Sequence, residues 1–325
     1  MGSDPVVWVL HDGKAGMASQ AVGLAEATGF AFCEKRLAIR APWSQLPPRL
    51  WPTPLRAAGK AGARLAPPWP DLVIACGRNA AAPALAIRRA SAGRALAAQI
   101  QDPEIGHRDF DLMVVPEHDR LRGPRVIVTR GAVHRVTPAL LAAERRRFPA
   151  LAALPRPILT VLIGGSNKAY RLSLRRLGEI ADALAAILRQ RGGAVLLTPS
   201  RRTGAEGLAL LRGRLAGLPA AIWDGAGDNP YYAYLALADA VLVTADSVSM
   251  VSEAAATGKP VHIIELAGGN AKFTRFHDAM RAAGITRPFA GEIETWSYPV
   301  PDDTRRAGEA LRALVLSRTG ERGAA

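Results

Sequence analysis

Residues 148–173 read FPALAALPRPILTVLIGGSNKAYRLS, and the fold turns on the middle of that stretch. FPALAALPRP (148–157) is punctuated by prolines and suits a linker. ILTVLIG (158–164) is an unbroken apolar run of strand length, and a helical pattern follows over 173–191. Upstream the same alternation has already run its course. VVWVL (6–10), FCEKRLAI (32–39), DLVIAC (71–76), ALAAQI (95–100), DLMVV (111–115) and RVIVT (125–129) read as strands, with helices near 17–28, 79–90 and 138–147. Position 158 therefore starts a second array. In it AVLLTP (194–199), AAIW (220–223), AVLVTA (240–245) and PVHIIE (260–265) are strands, and Thr203 with Glu206 has capping-box spacing. A last helix is expected over about 302–317.

Near-continuous apolar strands are expected where both faces of a parallel sheet are covered. The expected fold class is α/β, with two Rossmann-like domains facing each other across a cleft. The expected domains are 1–152 and 153–300, with 301–325 a C-terminal helix and tail. The Pro- and Trp-rich segment 41–70 is expected to carry a short helix with exposed apolar surface.

Of the 325 residues, 49% are hydrophobic, which supports full cores rather than disorder. The net charge is +14. The first 155 residues carry 21 Lys+Arg against 12 Asp+Glu, or +9, and the remainder 21 − 16 = +5. Such a charge attracts anionic lipid headgroups or phosphorylated substrates. Only six of the 42 basic residues are Lys, so a biased genome explains part of it. Aromatics are 6% and form no basic–aromatic module, so no nucleic acid partner is expected. Cys33 and Cys76 are isolated, which fits a reducing cytoplasm rather than a disulfide framework or zinc site. MGSDPVVWVLHDGK lacks the regions of a signal peptide, and no run reaches the roughly 18 apolar residues of a membrane span. A cytoplasmic protein is expected, peripheral on the inner face of the cytoplasmic membrane.

Ligands of open α/β sheets bind beyond the carboxyl ends of strands, so the loops after strands matter most. In HDGKAGMASQ (11–20), His11 is placed to act as a general base with Asp12 orienting it. Gly13, Lys14 and Gly16 follow in a turn that matches neither G-x-G-x-x-G nor Walker A. A glycine-assisted turn with a solvated histidine is the plainer alternative. In CGRNAAAP (76–83), Gly77 permits close backbone approach, and Arg78 and Asn79 touch a ligand or cap the next helix. Gln101, Glu117 and His118 also follow strands and join the substrate-binding candidates, although merely polar loops look alike.

In IGGSNKAYRLS (163–173), Gly164, Gly165, Ser166, Asn167 and Lys168 precede a helix and resemble an anion nest for a diphosphate. Ser200 and Arg201 follow another strand. In VLVTADSVSMVSEAAATGKP (241–260), Asp246 and Ser247 sit at a turn, and Ser249 and Glu253 share a helix face. Glu253 either favours the helix N-terminus, worth about 0.3–1 kcal/mol, or accepts the vicinal hydroxyls of a ribose.

GGS opening a second βα domain, followed far downstream by S-x-x-x-x-E-A-x-x-x-G-K-P, resembles GT-B glycosyltransferases. The similarity extends to the branch that forms lipid II. That resemblance implies a nucleotide sugar with its ribose on Glu253 and its diphosphate at Gly164, Gly165 and Ser166. HDGKAGM departs from the glycine-rich first loop of those enzymes. Over nearly its whole length the chain also resembles the bacterial branch of the mitochondrial fission (elongated-mitochondria) family. HDGKAGMASQ, QIQDP, VPEHD, TRGAVHRVTP, IGGSNKAYRLS, TPSRRTG and TADSVSMVSEAAATGKPV carry that likeness. In plants the family is linked to recruiting a dynamin-like protein to the outer mitochondrial membrane.

The resemblances imply a glycosyltransferase that moves a sugar from a nucleotide donor, a UDP-sugar, to an envelope lipid or lipid-linked acceptor on an anionic membrane surface. No metal is expected; the 164–168 nest, its helix dipole, Lys168 and Arg201 would stabilise the leaving diphosphate. No tightly bound cofactor is expected. Two alternatives stand beside it: a non-catalytic adaptor on the same scaffold, and an NDP-sugar epimerase.

Overall fold

The computed structural model describes residues 4–39, 41–57 and 64–323. Two compact units divide the chain: Met1–Arg135 with Asp302–Ala325, and Val136–Pro301.

The first unit contains β1 (Val7–His11), α1 (Ala15–Thr28), β2 (Phe32–Arg36), β3 (Leu72–Cys76), α2 (Arg78–Ala90), β4 (Leu96–Ile100), β5 (Leu112–Pro116) and β6 (Val126–Thr129). They form one parallel sheet in the order β2-β1-β3-β4-β5-β6. Every residue of β1, β3 and β4 is buried, because α1 and α2 leave neither face open to water. β2 is an edge strand, half-buried at most and ending at Arg36 rather than Ile39.

The second unit contains α3 (Pro138–Arg147), α4 (Pro149–Ala152), β7 (Ile158–Ile163), β8 (Tyr170–Arg171), α5 (Leu174–Arg191), β9 (Ala194–Pro199) and α6 (Gly204–Arg214). It continues with β10 (Ala220–Ile222), α7 (Tyr231–Leu237), β11 (Ala240–Thr244), α8 (Val248–Ala255), β12 (Val261–Ile264), β13 (Ala267–Gly268), α9 (Ala271–Ala282) and β14 (Thr286–Pro288). Its parallel sheet runs β10-β9-β7-β11-β12-β14, and β8 and β13 form a small antiparallel pair. The expected α/β class with two Rossmann-like sheets is what the chain adopts.

The units do not divide at 152. Leu141 on α3 packs in the cluster of Val136, Tyr231 and Leu235, so residues 138–152 go with the second unit. The last helix, α10 (Asp303–Gly323), is no appended tail. Ala307, Leu311 and Val315 are buried in one core with Ala21, Leu24 and Ala25 of α1. Gly308 makes this possible, since a Cβ there would lie 2.4 Å from the Ala27 Cβ. Arg312 then donates to the Thr28 carbonyl (2.8 Å), which the end of α1 leaves without a helical partner.

Three further expectations change. Between 41 and 57 there are two single 3-10 turns, Trp43–Gln45 and Pro48–Leu50, with Leu46 and Leu50 exposed; residues 58–63 lie outside the described residues. Thr203 makes no capping hydrogen bond, because its hydroxyl donates to the Gly164 carbonyl (2.7 Å). Helix α5 starts at Leu174 under a Ser173 cap, so its N-terminal dipole does not lie at 164–168. Among the described residues no helix is long and apolar enough to cross a membrane.

Candidate functional site

Strand order sets where each sheet can hold a ligand. In the second unit the chain leaves β7 toward β9 and β10, then returns to the other side at β11. Open α/β sheets bind ligands beyond the carboxyl ends of the strands at such a reversal, which here are the ends of β7 and β11. The loop after β7 is 164–168 and the turn after β11 is 245–247, so the two polar stretches singled out in this half meet there. In the first unit the reversal lies between β1 and β3, which end in the loops of His11–Lys14 and Gly77.

The 164–168 loop is tied inward. The Gly164 amide donates to Thr244 Oγ1 (2.8 Å) and the Gly165 amide to Asp246 Oδ2 (3.1 Å). Asn167 accepts from the amides of Ala169 (2.7 Å) and Tyr170 (2.8 Å), and its Nδ2 donates to the Asp246 carbonyl (3.2 Å). Ser200 donates to the Gly164 carbonyl (2.7 Å). The nest expected for a diphosphate thus has two amides engaged by protein acceptors, and Asn167 has a structural role. Ser166 and Lys168 are exposed.

Arg201 is exposed and makes no ion pair among the described residues, whereas its neighbour Arg202 is the residue drawn into the loop. Arg202 Nη1 donates to the Gly165 carbonyl (2.6 Å), and Nη2 pairs with Asp246 Oδ2 (2.7 Å). The two arginines differ only in which way the turn after β9 points them, which no spacing reveals. Below the turn, His277 Nε2 donates to the Ala245 carbonyl (2.8 Å). Burial holds that imidazole below its ordinary pKa of 6.5.

Glu253 does not cap α8. Ser247 does, accepting from the Met250 amide (3.3 Å). Glu253 is 5% exposed, and its Oε2 accepts from the Tyr231 hydroxyl at 2.5 Å. Burial first, then the adjacent carboxylate, pushes the Tyr231 pKa well above 10, so the phenol stays a donor. Tyr232 meets the Tyr231 ring edge-on, with centroids 5.3 Å apart. Ser249 is half-buried on the same helix. Tyr231 opens a seven-residue helix in YYAYLAL, an apolar segment with no strong helix signal.

The first unit overturns the pairing of His11 with Asp12. His11 is 1% exposed; its Nδ1 accepts from the Gly13 amide (3.1 Å), so Nε2 carries the proton and donates to Glu34 Oε1 (2.8 Å). Neither nitrogen is open to take a proton. Asp12 instead pairs with Lys14 Nζ (2.5 Å). Gly13 has φ +78°, and a Cβ there would lie 2.4 Å from Arg36 Nε. The Gly16 carbonyl accepts from Gln20 Nε2 (3.1 Å), and Gln20 Oε1 accepts from Gln101 (3.1 Å), so the start of α1 is joined to the loop after β4. Gly77, at φ +77°, is the N-cap of α2, which corrects the expectation that Asn79 caps it. Arg78 pairs with Glu104 (3.3 Å). Glu117 is exposed, while His118 is buried beside Asp119 (3.7 Å) and does not reach solvent.

The histidine–aspartate pair expected at 11 and 12 exists elsewhere. His107 Nε2 contacts Asp102 Oδ1 at 2.8 Å with the ring 40% exposed. Nearby Gln101 and Glu104 hold φ of +68° and +60°, unusual for residues with a Cβ. Among the described residues no cluster of three or more His, Cys, Asp or Glu is arranged to hold a metal ion.

A family model described as mitochondrial fission ELM1 matches residues 15–315. Mitochondrial fission protein ELM1 of Arabidopsis thaliana is 33% identical over 277 residues, 77% of this chain and 65% of the plant protein. The chain thus spans just under two-thirds of that relative. UDP-GlcNAc 2-epimerase of Methanocaldococcus jannaschii, solved with UDP-GlcNAc and UDP, superposes with a TM-score of 0.55 at 11% identity. The match covers 96% of this chain and 99% of that one. The glycotransferase of kitacinnamycin superposes with a TM-score of 0.51 at 14% identity, over 98% and 94%. At such identities the likeness is one of fold, the GT-B architecture.

Proposed function

The chain belongs to the mitochondrial fission ELM1 family, and we propose that it is a GT-B glycosyltransferase using a nucleotide-sugar donor. The observation that carries this is Glu253. It is a buried carboxylate beside the switch-point crevice, with one oxygen held by Tyr231. A carboxylate so fixed is suited to accept both hydroxyls of a ribose. Lys168 and Arg201, exposed and without an ion pair among the described residues, are the proposed cations for the diphosphate of a UDP-sugar, with exposed Ser166 in the same loop as Lys168. Ser247 and Ser249 are proposed to line the same site.

Transfer to a hydroxyl acceptor requires a base. His11, locked through both nitrogens, is reassigned as the residue that fixes the first loop. His107, oriented by Asp102, is proposed as the base. Gly77, Arg78, Gln101 and Glu117 are proposed to shape the acceptor site.

The acceptor is proposed to be an envelope lipid or lipid-linked sugar, met at the cytoplasmic membrane face. Residues 35–70 contain seven basic residues and no acidic one, so 7 − 0 = +7, half the net charge. Leu46 and Leu50 are exposed there beside Arg49. Apolar tips among cations suit an anionic bilayer. Co-sedimentation with phosphatidylglycerol vesicles but not with phosphatidylcholine vesicles is expected; equal recovery with both contradicts it.

The donor site is tested by titrating UDP-, GDP- and CMP-sugars into the wild-type protein and Glu253→Ala. Binding of a UDP-sugar that the variant loses is expected. No heat from any of them, or equal binding by the variant, removes the site. A non-catalytic adaptor is the second reading, favoured by the engagement of His11 and of the Gly164 and Gly165 amides within the protein. It predicts that outcome of no binding. Conversion of a nucleotide sugar without acceptor marks an epimerase instead.

A further inference from the structure

Glycines after a strand at a switch point leave room for a phosphate to approach the backbone. In this loop the room is taken by a carboxylate. A Cβ on Gly164 would lie 2.2 Å from both Oδ1 and Oδ2 of Asp246, so only glycine admits that side chain. Gly165 is constrained likewise, since a Cβ there would lie 2.6 Å from the Arg202 Cβ. The Asp246 side chain is fully buried, and its Oδ2 takes the Gly165 amide and the Arg202 guanidinium together. A backbone amide beside a guanidinium is the donor set that recognises a phosphate oxygen.

The seat is filled but not satisfied. Asp246 Oδ1 is buried without a hydrogen-bond partner. A buried carboxylate oxygen lacking a donor is unfavourable and calls for an explanation. Helix capping does not supply one, since Ser247 performs it. The Arg202 side chain is 40% exposed, so the seat is open to solvent from the arginine side.

We infer that Asp246 is a built-in competitor for the diphosphate: its carboxylate holds the anion seat made by the Gly165 amide and Arg202, and a nucleoside diphosphate enters by displacing it. This rests on the second unit being a nucleotide site. Affinity then reflects the difference between two anions for one seat. Asp246 weakens the hold on donor and product diphosphates alike, which favours product release. Uridine, which brings no phosphate, is indifferent to Asp246.

Calorimetric titration of UDP, inorganic pyrophosphate and uridine into wild type, Asp246→Asn and Arg202→Gln tests this. UDP and pyrophosphate should bind Asp246→Asn about tenfold tighter or more, with uridine unchanged, and Arg202→Gln should weaken both by about tenfold. Should Asp246→Asn melt early, Asp246→Ser also removes the charge and carries the same expectation. Equal or weaker binding of pyrophosphate by a folded Asp246 variant overturns the inference, as does failure of pyrophosphate to bind any of these proteins. If the nucleotide reading alone is wrong, uridine fails to bind while pyrophosphate still separates Asp246→Asn from wild type.

Discussion

A tyrosine 22 residues away decides how Glu253 sits, and the pair is sensitive for that reason. Tyr231→Phe takes the donor from a buried carboxylate, which typically costs about 1–3 kcal/mol. Urea unfolding should show that loss with an unchanged m-value; a variant as stable as wild type means the Tyr231 hydroxyl contributes nothing to holding Glu253. Glu253 itself was legible in the sequence, because its i, i+4 partner Ser249 and the Gly258-Lys259-Pro260 stop frame a helix start. Tyr231 was not, since a hydroxyl donor reached through tertiary packing leaves no local pattern. The failed pairing of His11 with Asp12 has a simple cause. Successive residues at a strand end point to opposite faces, so Asp12 turns away from His11. Glu34 is two residues from Arg36, the register partner of His11, and so shares that residue's face.

Most parallel strands and most helices were readable, since buried parallel strands are apolar without interruption and α5 keeps a clear apolar stripe, whereas β8, β13 and β14 are too short to show a pattern. The helices that escaped, α4, α7 and α9, depend on context: α4 is four residues inside the Pro-punctuated stretch read as a linker, α7 has only seven residues, and α9 follows the short strand β13 under an Asn270 cap. The pattern of α10 was visible, yet its place in the first core was not, because its partner α1 lies almost a full chain length away. Glycines separate by what an added methyl would meet. Gly164→Ala drives a methyl into the Asp246 carboxylate, and overpacking of this kind costs about 1–3 kcal/mol. Gly213→Ala meets nothing within 4 Å near the end of α6 and should gain a few tenths to about 1 kcal/mol. Thermal unfolding of the two variants should move in opposite directions; a stabilised Gly164→Ala contradicts the packing described for that loop.

At the scale of the molecule, buried titratable groups bound the pH range of stability. Burial raises the phenols of Tyr231, Tyr234 and Tyr298, that of Tyr234 to about 12. The unfolded chain loses these protons near pH 10 and the native chain does not, so their contribution is complete below that value and falls as pH rises. Burial lowers the imidazoles of His262 and His277 below 6.5. The unfolded chain there takes up protons that the native chain resists, so this contribution is complete above 6.5 and falls as pH drops. Urea midpoints should be flat between about pH 7 and 9 and decline on both sides; a midpoint still level at about pH 11 contradicts the burial of the tyrosines. Two parallel sheets each carry one reversal of strand order, and the second is the proposed nucleotide site. A crystal of the protein soaked in UDP tests that most directly. The expected result is the ribose hydroxyls on the Glu253 carboxylate and the diphosphate over residues 164–168, with Asp246 moved off Gly164. UDP bound away from β7 and β11, or no UDP at saturating concentration, contradicts it.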